Sequence, residues 1–213
     1  MRDDYRRIAP CYDLLLDPFI RALRPRGYAH FLTGEGMRVL EVGCGTGTQL
    51  AYYRKRGCRV AGIDLSDAML RVAHARLGQP ALVCQADAVR LPFPDGIFHR
   101  VVASLVFHEM APEMRPAVLD EMTRVLHPAG RLGIIDYHPE AERSFKGFWA
   151  RQFIRGIERA AGRLHYRNYR RFIDAGGIPA LARRKGLHLE RVKRVSGGNI
   201  GLYRCTPRRR SMR

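Results

Sequence analysis

Glu41, Gly43, Gly45, Gly47 and Asp64 are the residues whose types and spacing most narrowly prescribe a ligand. Glycines at alternate positions directly after an apolar run let the backbone turn tightly and let a ligand lie against it. A carboxylate at the tip of a second apolar run, Val60 to Ile63, is where a ribose presents its two hydroxyls. The spacing therefore predicts an adenosine-containing cofactor. A dinucleotide site wants glycine at the first, third and sixth positions of such a loop. Here glycine holds the first, third and fifth, and Thr48 the sixth, which makes nicotinamide the weaker reading. Glu41 adds a carboxylate where a pyrophosphate would be repelled and an ammonium group attracted. S-adenosylmethionine carries that ammonium. The bland alternative is a Rossmann-like turn with no ligand.

The elements that must position these residues follow from the apolar runs. Val39, Leu40 and Val42 suit a buried parallel strand, Val60 to Ile63 a second, Ala81 to Cys84 a third and Phe98 to Phe107 a fourth. Residues 113 to 126 have a helical pattern, and Gly130 to Tyr137 reads as a fifth strand after the Pro128-Ala129-Gly130 turn. Residues 145 to 163 and Ile178 to Lys185 read as helices. Leu187 to Val195 and Ile200 to Cys205 read as two strands joined through Ser196-Gly197-Gly198-Asn199.

The order Glu41-x-Gly43-x-Gly45-x-Gly47 followed by Asp64 resembles the first two motifs of the class I S-adenosylmethionine-dependent methyltransferases. The resemblance implies an α/β, Rossmann-like fold: a seven-stranded, mostly parallel sheet with an antiparallel last strand, helices on both faces and a helical lid inserted after the fifth strand. It implies that Cys44, Leu65, Met69, Ala88 and Ser104 join Glu41, the three glycines and Asp64 around the cofactor. It also makes Asp87 an acceptor for the adenine amino group. The insertion, the N-terminal Ala9-Pro10-Cys11-Tyr12-Asp13 and the phrase Gly197 to Tyr203 resemble the ubiquinone and menaquinone biosynthesis C-methyltransferases of the type 11 group, whose relatives include bacterial phospholipid N-methyltransferases. The expected organisation is one domain: a helical cap over 1–36, a cofactor core over 37–138, a basic lid over 139–186, a closing hairpin over 187–207 and a basic tail.

Methyl transfer needs an aligned nucleophile, a dry pocket and, for some acceptors, a base. His108, just past the fourth strand, is the candidate base, because an ordinary imidazole titrates near pH ~6.5. On a quinol it could ionise a ring hydroxyl and activate the adjacent carbon; the alternative is a histidine that caps a helix or shapes the wall. Tyr12 and Tyr166 are candidates for the substrate pocket, against the alternative of aromatic packing.

Charge is placed unevenly. Basic residues exceed acidic ones by three over residues 1–138 and by fifteen over 139–213. Over 145–163, Phe145, Trp149, Phe153 and Ile157 form one stripe at intervals of four, and Arg151, Arg155, Arg159 and Arg163 another. Two readings follow: a basic helix that meets an anionic membrane through Arg151, Arg155 and Arg159, or a lid packed by its aromatic stripe with solvated arginines. Nucleic acid is the weaker partner, since neither an Asn/Asp-Pro-Pro-aromatic loop nor a Pro-Cys pair follows the fourth strand. A protein that binds the cofactor without turnover is the remaining class. Five cysteines without a Cys-x-x-Cys pair predict reduced thiols in the cytoplasm, and the histidine spacings predict no metal. The N-terminus lacks an apolar segment, so export is not expected, and peripheral attachment to a membrane is the only membrane association foreseen. A small, hydrophobic or amphipathic acceptor is expected, with transfer to carbon ahead of transfer to a phospholipid headgroup nitrogen.

Overall fold

The apolar runs become the centre of a seven-stranded sheet in the computed structural model, which describes residues 9, 13–14, 20–79, 81–140 and 144–207. Tyr12, Cys11 and the tail 208–213 lie outside these residues. The elements run α1 (Leu23–His30), β1 (Arg38–Val42), α2 (Thr48–Arg54), β2 (Arg59–Asp64), α3 (Asp67–Leu77), β3 (Leu82–Gln85) and β4 (Phe98–Ser104). They continue with α4 (Met114–Arg124), β5 (Leu126–Tyr137), α5 (Phe145–Ala160), α6 (Arg163–Asp174), α7 (Gly177–Arg184), β6 (Leu187–Val195) and β7 (Ile200–Pro207).

Spatial order in the sheet is β3-β2-β1-β4-β5-β7-β6. The first five of these strands are parallel, and β7 lies antiparallel between β5 and β6. Strands sandwiched between helices must be apolar on both faces, and Val39, Leu40, Val42, Val101, Val102, Leu132, Ile134 and Ile135 are all buried. Strand order reverses between β1 and β4. In a doubly wound sheet that switch point opens a crevice at the strands' C-terminal ends, where the glycine loop and the residues after β4 both emerge.

The structure corrects three elements. The fourth strand stops at Ser104 rather than Phe107, because Leu105 takes φ 57° and Leu105 N donates to Ile135 O at 2.7 Å. The fifth strand starts earlier than Gly130, and the expected 128–130 turn is an irregularity where pairing slips from Phe98–Leu126 to Arg100–Arg131. The helix expected over 145–163 is two helices, broken at Gly162, whose φ of 118° no L side chain adopts comfortably. Arg163 and the segment 165–169 therefore belong to α6.

Helix α1 reaches the cofactor crevice because a socket anchors it. Phe31 is fully buried, and a Cβ built on Gly133 would sit 2.5 Å from its ring, so the glycine in β5 makes the space. Arg100 ties the same turn down, donating from Nε to Phe31 O at 2.7 Å and from Nη2 to Leu32 O at 2.5 Å. Phe31→Ala is expected to lower unfolding free energy by ~3–5 kcal/mol in urea titrations, the usual cost of emptying a buried phenylalanine site; a loss below about 1 kcal/mol would show that α1 does not depend on the socket.

Candidate functional site

The glycine loop leaves β1 and enters α2 with three left-handed residues, Gly43, Gly45 and Gly47 at φ 70°, 52° and 72°. At Gly43 a Cβ would lie 2.7 Å from Val106, so the loop can pass the β4 exit only without a side chain. At Gly45 a Cβ would meet nothing within 4 Å, which leaves the backbone open to a ligand. Asp64 braces the loop, accepting from Gly45 N at 2.8 Å and from Ser66 N at 2.9 Å.

Beside the loop lies a cavity of about 90 Å³ lined by Glu41, Gly43, Cys44, Gly45, Gln49, Ser104 and Leu105 together with Arg24 from α1. Glu41 is buried, and its Oε2 has no hydrogen-bond partner among the described residues. Burial pushes its pKa well above the usual carboxylate range, against the pull of Arg24 and with help from Asp64. An unsatisfied buried carboxylate costs free energy that a cationic ligand group would recover. Ser104 donates to Gln49 Oε1 at 3.1 Å, while Gln49 Nε2 is a buried donor without an acceptor among the described residues. The cavity thus offers an acceptor and a donor, matching an ammonium and a carboxylate on one ligand.

Next to Ser104 and Leu105 the chain turns under the end of β5. Asp136 is fully buried and accepts from Phe107 N at 2.9 Å, His108 N at 3.3 Å and Tyr137 N at 2.7 Å. Its Oδ1 also lies 2.8 Å from His108 Nδ1, which fixes Nδ1 as the protonated nitrogen and aims Nε2 away. Around Nε2 stand Glu109 Oε1 at 3.8 Å and Glu158 Oε1 at 3.7 Å. Glu158, on α5, accepts from Tyr137 OH at 2.8 Å, and His165 Nε2 on α6 lies 2.7 Å from its Oε2 in ion-pair contact. Tyr137 packs on the His108 ring at 4.6 Å, and Tyr169 meets it edge-on at 6.4 Å.

Burial alone would lower the pKa of His108, but the charge and hydrogen bond of Asp136, with Glu109 and Glu158, more than reverse this and push it up to about 9. His108 is thus an imidazolium at neutral pH, not the ordinary imidazole that the sequence suggests. Glu158 titrates below its usual range: its burial is outweighed by His165, His108 and Tyr137. His108, Glu158 and His165 bring donor atoms within 4.8 Å of one another, an arrangement able to hold a cation that chain spacing could not reveal. In the structure these donors are engaged with one another and with Tyr137.

Over residues 40–134 the chain matches the family model described as a methyltransferase domain. It is 35% identical over 150 residues to the demethylmenaquinone methyltransferase of Thermus thermophilus, covering 66% of this chain and 67% of that one. It is 32% identical over 180 residues to the demethylmenaquinone methyltransferase of Beutenbergia cavernae, covering 80% and 73%. It belongs to the class I S-adenosylmethionine-dependent methyltransferases of the ubiquinone/menaquinone methyltransferase-like type. Solved structures share this methyltransferase fold: a SAM-dependent methyltransferase from Aquifex aeolicus at TM-score 0.57 and 23% identity, over 85% of this chain and 88% of that one. The PH0226 protein from Pyrococcus horikoshii OT3 aligns at TM-score 0.66 and 19% identity, over 88% and 89%.

The cofactor of this methyltransferase is S-adenosylmethionine, and the unsatisfied Glu41 and the open backbone at Gly45 fit its ammonium and its close approach. Of the residues assigned to it from sequence, Glu41, Gly43, Cys44, Gly45 and Ser104 line the cavity together. Gly47 caps α2 behind the loop. Asp64 ends β2 and Leu65 follows it, and Asp87 and Ala88 follow β3 at the same end of the sheet, with Asp87 exposed and accepting from Val89 N at 3.0 Å. Met69 is buried against Ala9 and Ala68. Arg24, Gln49, Asp136, Glu158 and His165 carry no motif; only the location of Gln49 in the first turn of the helix after the glycine loop hinted at its place.

The aromatic residues of the basic lid face outward, against the packed-lid expectation. Phe145 is 81% exposed, Trp149 56%, Phe148 55% and Phe153 49%. Arg151 and Arg155 instead turn inward, half-buried, because Ile154 and Glu158 carry the buried face of α5. Arg159 is exposed, stacked at 5.0 Å on Tyr166, which is half-buried beside Tyr169 at 6.0 Å. No described helix is long and apolar enough to cross a membrane, and the four described cysteines, Cys44, Cys58, Cys84 and Cys205, are free thiols.

Glu41→Gln keeps the shape and removes the charge. It is expected to leave thermal stability at pH 8 unchanged or raised, because a desolvated carboxylate disappears, while calorimetry shows S-adenosylmethionine binding weakened more than tenfold. Unchanged affinity would dissociate Glu41 from the ammonium.

Proposed function

We propose that the enzyme methylates carbon on a small, hydrophobic or amphipathic acceptor of quinol type, with His108 as the base. The observation that carries this reading is the Asp136–His108 pair, built at the tip of β4 one turn beyond the Ser104 and Leu105 wall of the cofactor cavity. The names of the demethylmenaquinone methyltransferases and of the ubiquinone/menaquinone biosynthesis C-methyltransferase UbiE of Bordetella avium, 34% identical over 62% of this chain, point the same way.

S-adenosylmethionine, when bound, would supply an electrophilic methyl group; Glu41 would hold its ammonium and the glycine loop would lie against it, with Asp64 and Asp87 toward the nucleoside. The protein supplies the rest. Asp136 holds Nδ1, so Nε2 is the atom that takes a proton from an acceptor hydroxyl and leaves the adjacent ring carbon electron-rich. Glu158 and Glu109 favour the imidazolium that results. His108 is only 2% exposed beneath Tyr137, Tyr169 and His165, so proton transfer at Nε2 is screened from bulk water by β5 and α6. Tyr166, beside Tyr169, extends that wall.

With a pKa of about 9, His108 must shed a proton before it can act. kcat/KM is expected to rise tenfold per pH unit from pH 7 and level near 9, and the slope is expected to vanish in His108→Gln. Stability gives a second readout. The folded value lies above the unfolded value of about 6.5, so the pairing stabilises fully below that value and is lost as pH rises through 9. Wild-type melting temperature should therefore fall between pH 7 and 10 more steeply than that of His108→Gln. A pH-independent rate at saturating acceptor would remove His108 from catalysis.

The outward aromatic face of α5 favours work at an anionic membrane surface. Phe145, Phe148 and Trp149 face solvent with Lys146 and Arg159 exposed on the same helix, a pairing suited to the headgroup boundary. Arg151 and Arg155 turn inward, which leaves Lys146 and Arg159 as the cations of this surface. Trp149 is the single tryptophan of the chain. Its emission is expected to shift to shorter wavelength with phosphatidylglycerol vesicles at low salt, and to return as salt is raised. An equal response to neutral phosphatidylcholine, or none, would exclude this attachment.

A further inference from the structure

Tyr137 and Tyr169, whose rings pack on His108, also line a second cavity of about 160 Å³ between β5, α5 and α6. Its polar wall is cationic. Arg151 and Arg155 enter from α5 and Arg170 from α6, with Asp174 as the acid among the lining residues. Arg170 and Asp174 sit 3.7 Å apart at the exposed rim and offset each other. Among the described residues Arg151 is held by neutral acceptors, donating from Nε to Asn199 Oδ1 and from Nη2 to Pro139 O, each at 3.1 Å. Asn199 is itself buried and fixed by Gly147 O at 2.8 Å and Ser196 O at 2.9 Å, so the guanidinium is positioned in advance. Among the described residues, no carboxylate lies within ion-pair distance of Arg151 or Arg155.

Two half-buried guanidinium groups in one wall, with no ion-pair partner among the described residues, repel each other and lose hydration. A planar fork of N–H donors matches a carboxylate or phosphate, which would both neutralise the pair and accept its hydrogens. The volume lies below the roughly 300 Å³ at which pockets begin to enclose a whole drug-sized ligand, so it suits one polar group of a larger molecule. Tyr137 and Tyr169 contact both that cavity and the His108 ring.

We infer that this cavity binds an anionic group, carboxylate or phosphate, carried by the methyl acceptor, with Arg155 and Arg151 as its anchors. The inference deepens the proposed reaction and rests on it for the word acceptor; the anion site itself rests on the cavity.

The test reads binding without turnover. Thermal unfolding at low ionic strength is followed in wild type, Arg155→Gln and Arg167→Gln, the last removing the same charge from an exposed position of α6 outside the cavity. The probes are benzoate, phenyl phosphate and dihexanoylphosphatidylglycerol, with phenol as the uncharged control and S-adenosylhomocysteine as the check on folding. Saturable protection by an anion in wild type and Arg167→Gln, at least tenfold weaker in Arg155→Gln, with S-adenosylhomocysteine protecting all three alike, is the expected result. Protection by the aromatic anions alone assigns the group to a soluble or ring-borne acid, and protection by the lipid alone assigns it to a phospholipid headgroup. Absence of saturable protection by all three anions, or equal protection in Arg155→Gln, overturns the site. That failure would leave the pH dependence of His108 untouched, and a pH-independent rate would leave the anion result standing.

Discussion

A single buried carboxylate organises the reactive end of this fold. Asp136 is fully enclosed at the end of β5, where a charge without partners would cost several kcal/mol. Three backbone amides and one imidazole satisfy it. Two of those amides belong to Phe107 and His108, so the chain leaving β4 must curl under β5, and Leu105 takes a left-handed conformation to do so. The constraint propagates outward. Arg115 donates to Phe107 O at 3.0 Å, Met110 O at 2.9 Å and Asn168 O at 2.8 Å, and Asn168 returns a bond to Glu109 O at 2.7 Å. Through these bonds the loop after β4 holds α6, and α6 holds Tyr169 and His165 over the imidazole.

Two buried carboxylates flank the reaction centre under opposite electrostatic conditions. Asp136 has all its acceptors filled by the protein, which suits a group that fixes geometry. Glu41 has a vacant oxygen and a raised pKa, which suits a group awaiting a cationic ligand. They sit on different strands at one end of the sheet, so the cofactor cavity and the Asp136–His108 pair are placed by the same parallel register, β1 beside β4 and β4 beside β5.

The large positive charge of the last third is not confined to the solvated face, since Arg151 and Arg155 are half-buried. On α5 the buried positions are Gly147, Ile154 and Glu158, and this fixes the rotation of the helix. Arg151 and Arg155 follow that face inward, and the aromatic residues are left outside.

What the sequence by itself determined is everything that depends on local backbone chemistry. Alternate glycines after an apolar run can make only a tight, ligand-facing turn, and buried parallel strands demand continuous apolar runs, so the cofactor loop and the two strands that flank it were legible in residues 37 to 69, and the resemblance those residues carry pointed to the methyltransferase class. Tertiary structure decided whatever depends on residues distant in the chain. His108 has an ordinary imidazole's pKa until Asp136, 28 residues later, and Glu158, from the lid, are brought against it. The stripe pattern over 145–163 shows two faces but not which one turns inward, because that depends on whether Glu158 finds Tyr137 and His165 as partners. Periodicity records that a helix has sides; only packing against the rest of the chain gives each side its neighbours, and pKa values, cavities and exposed patches are properties of neighbours.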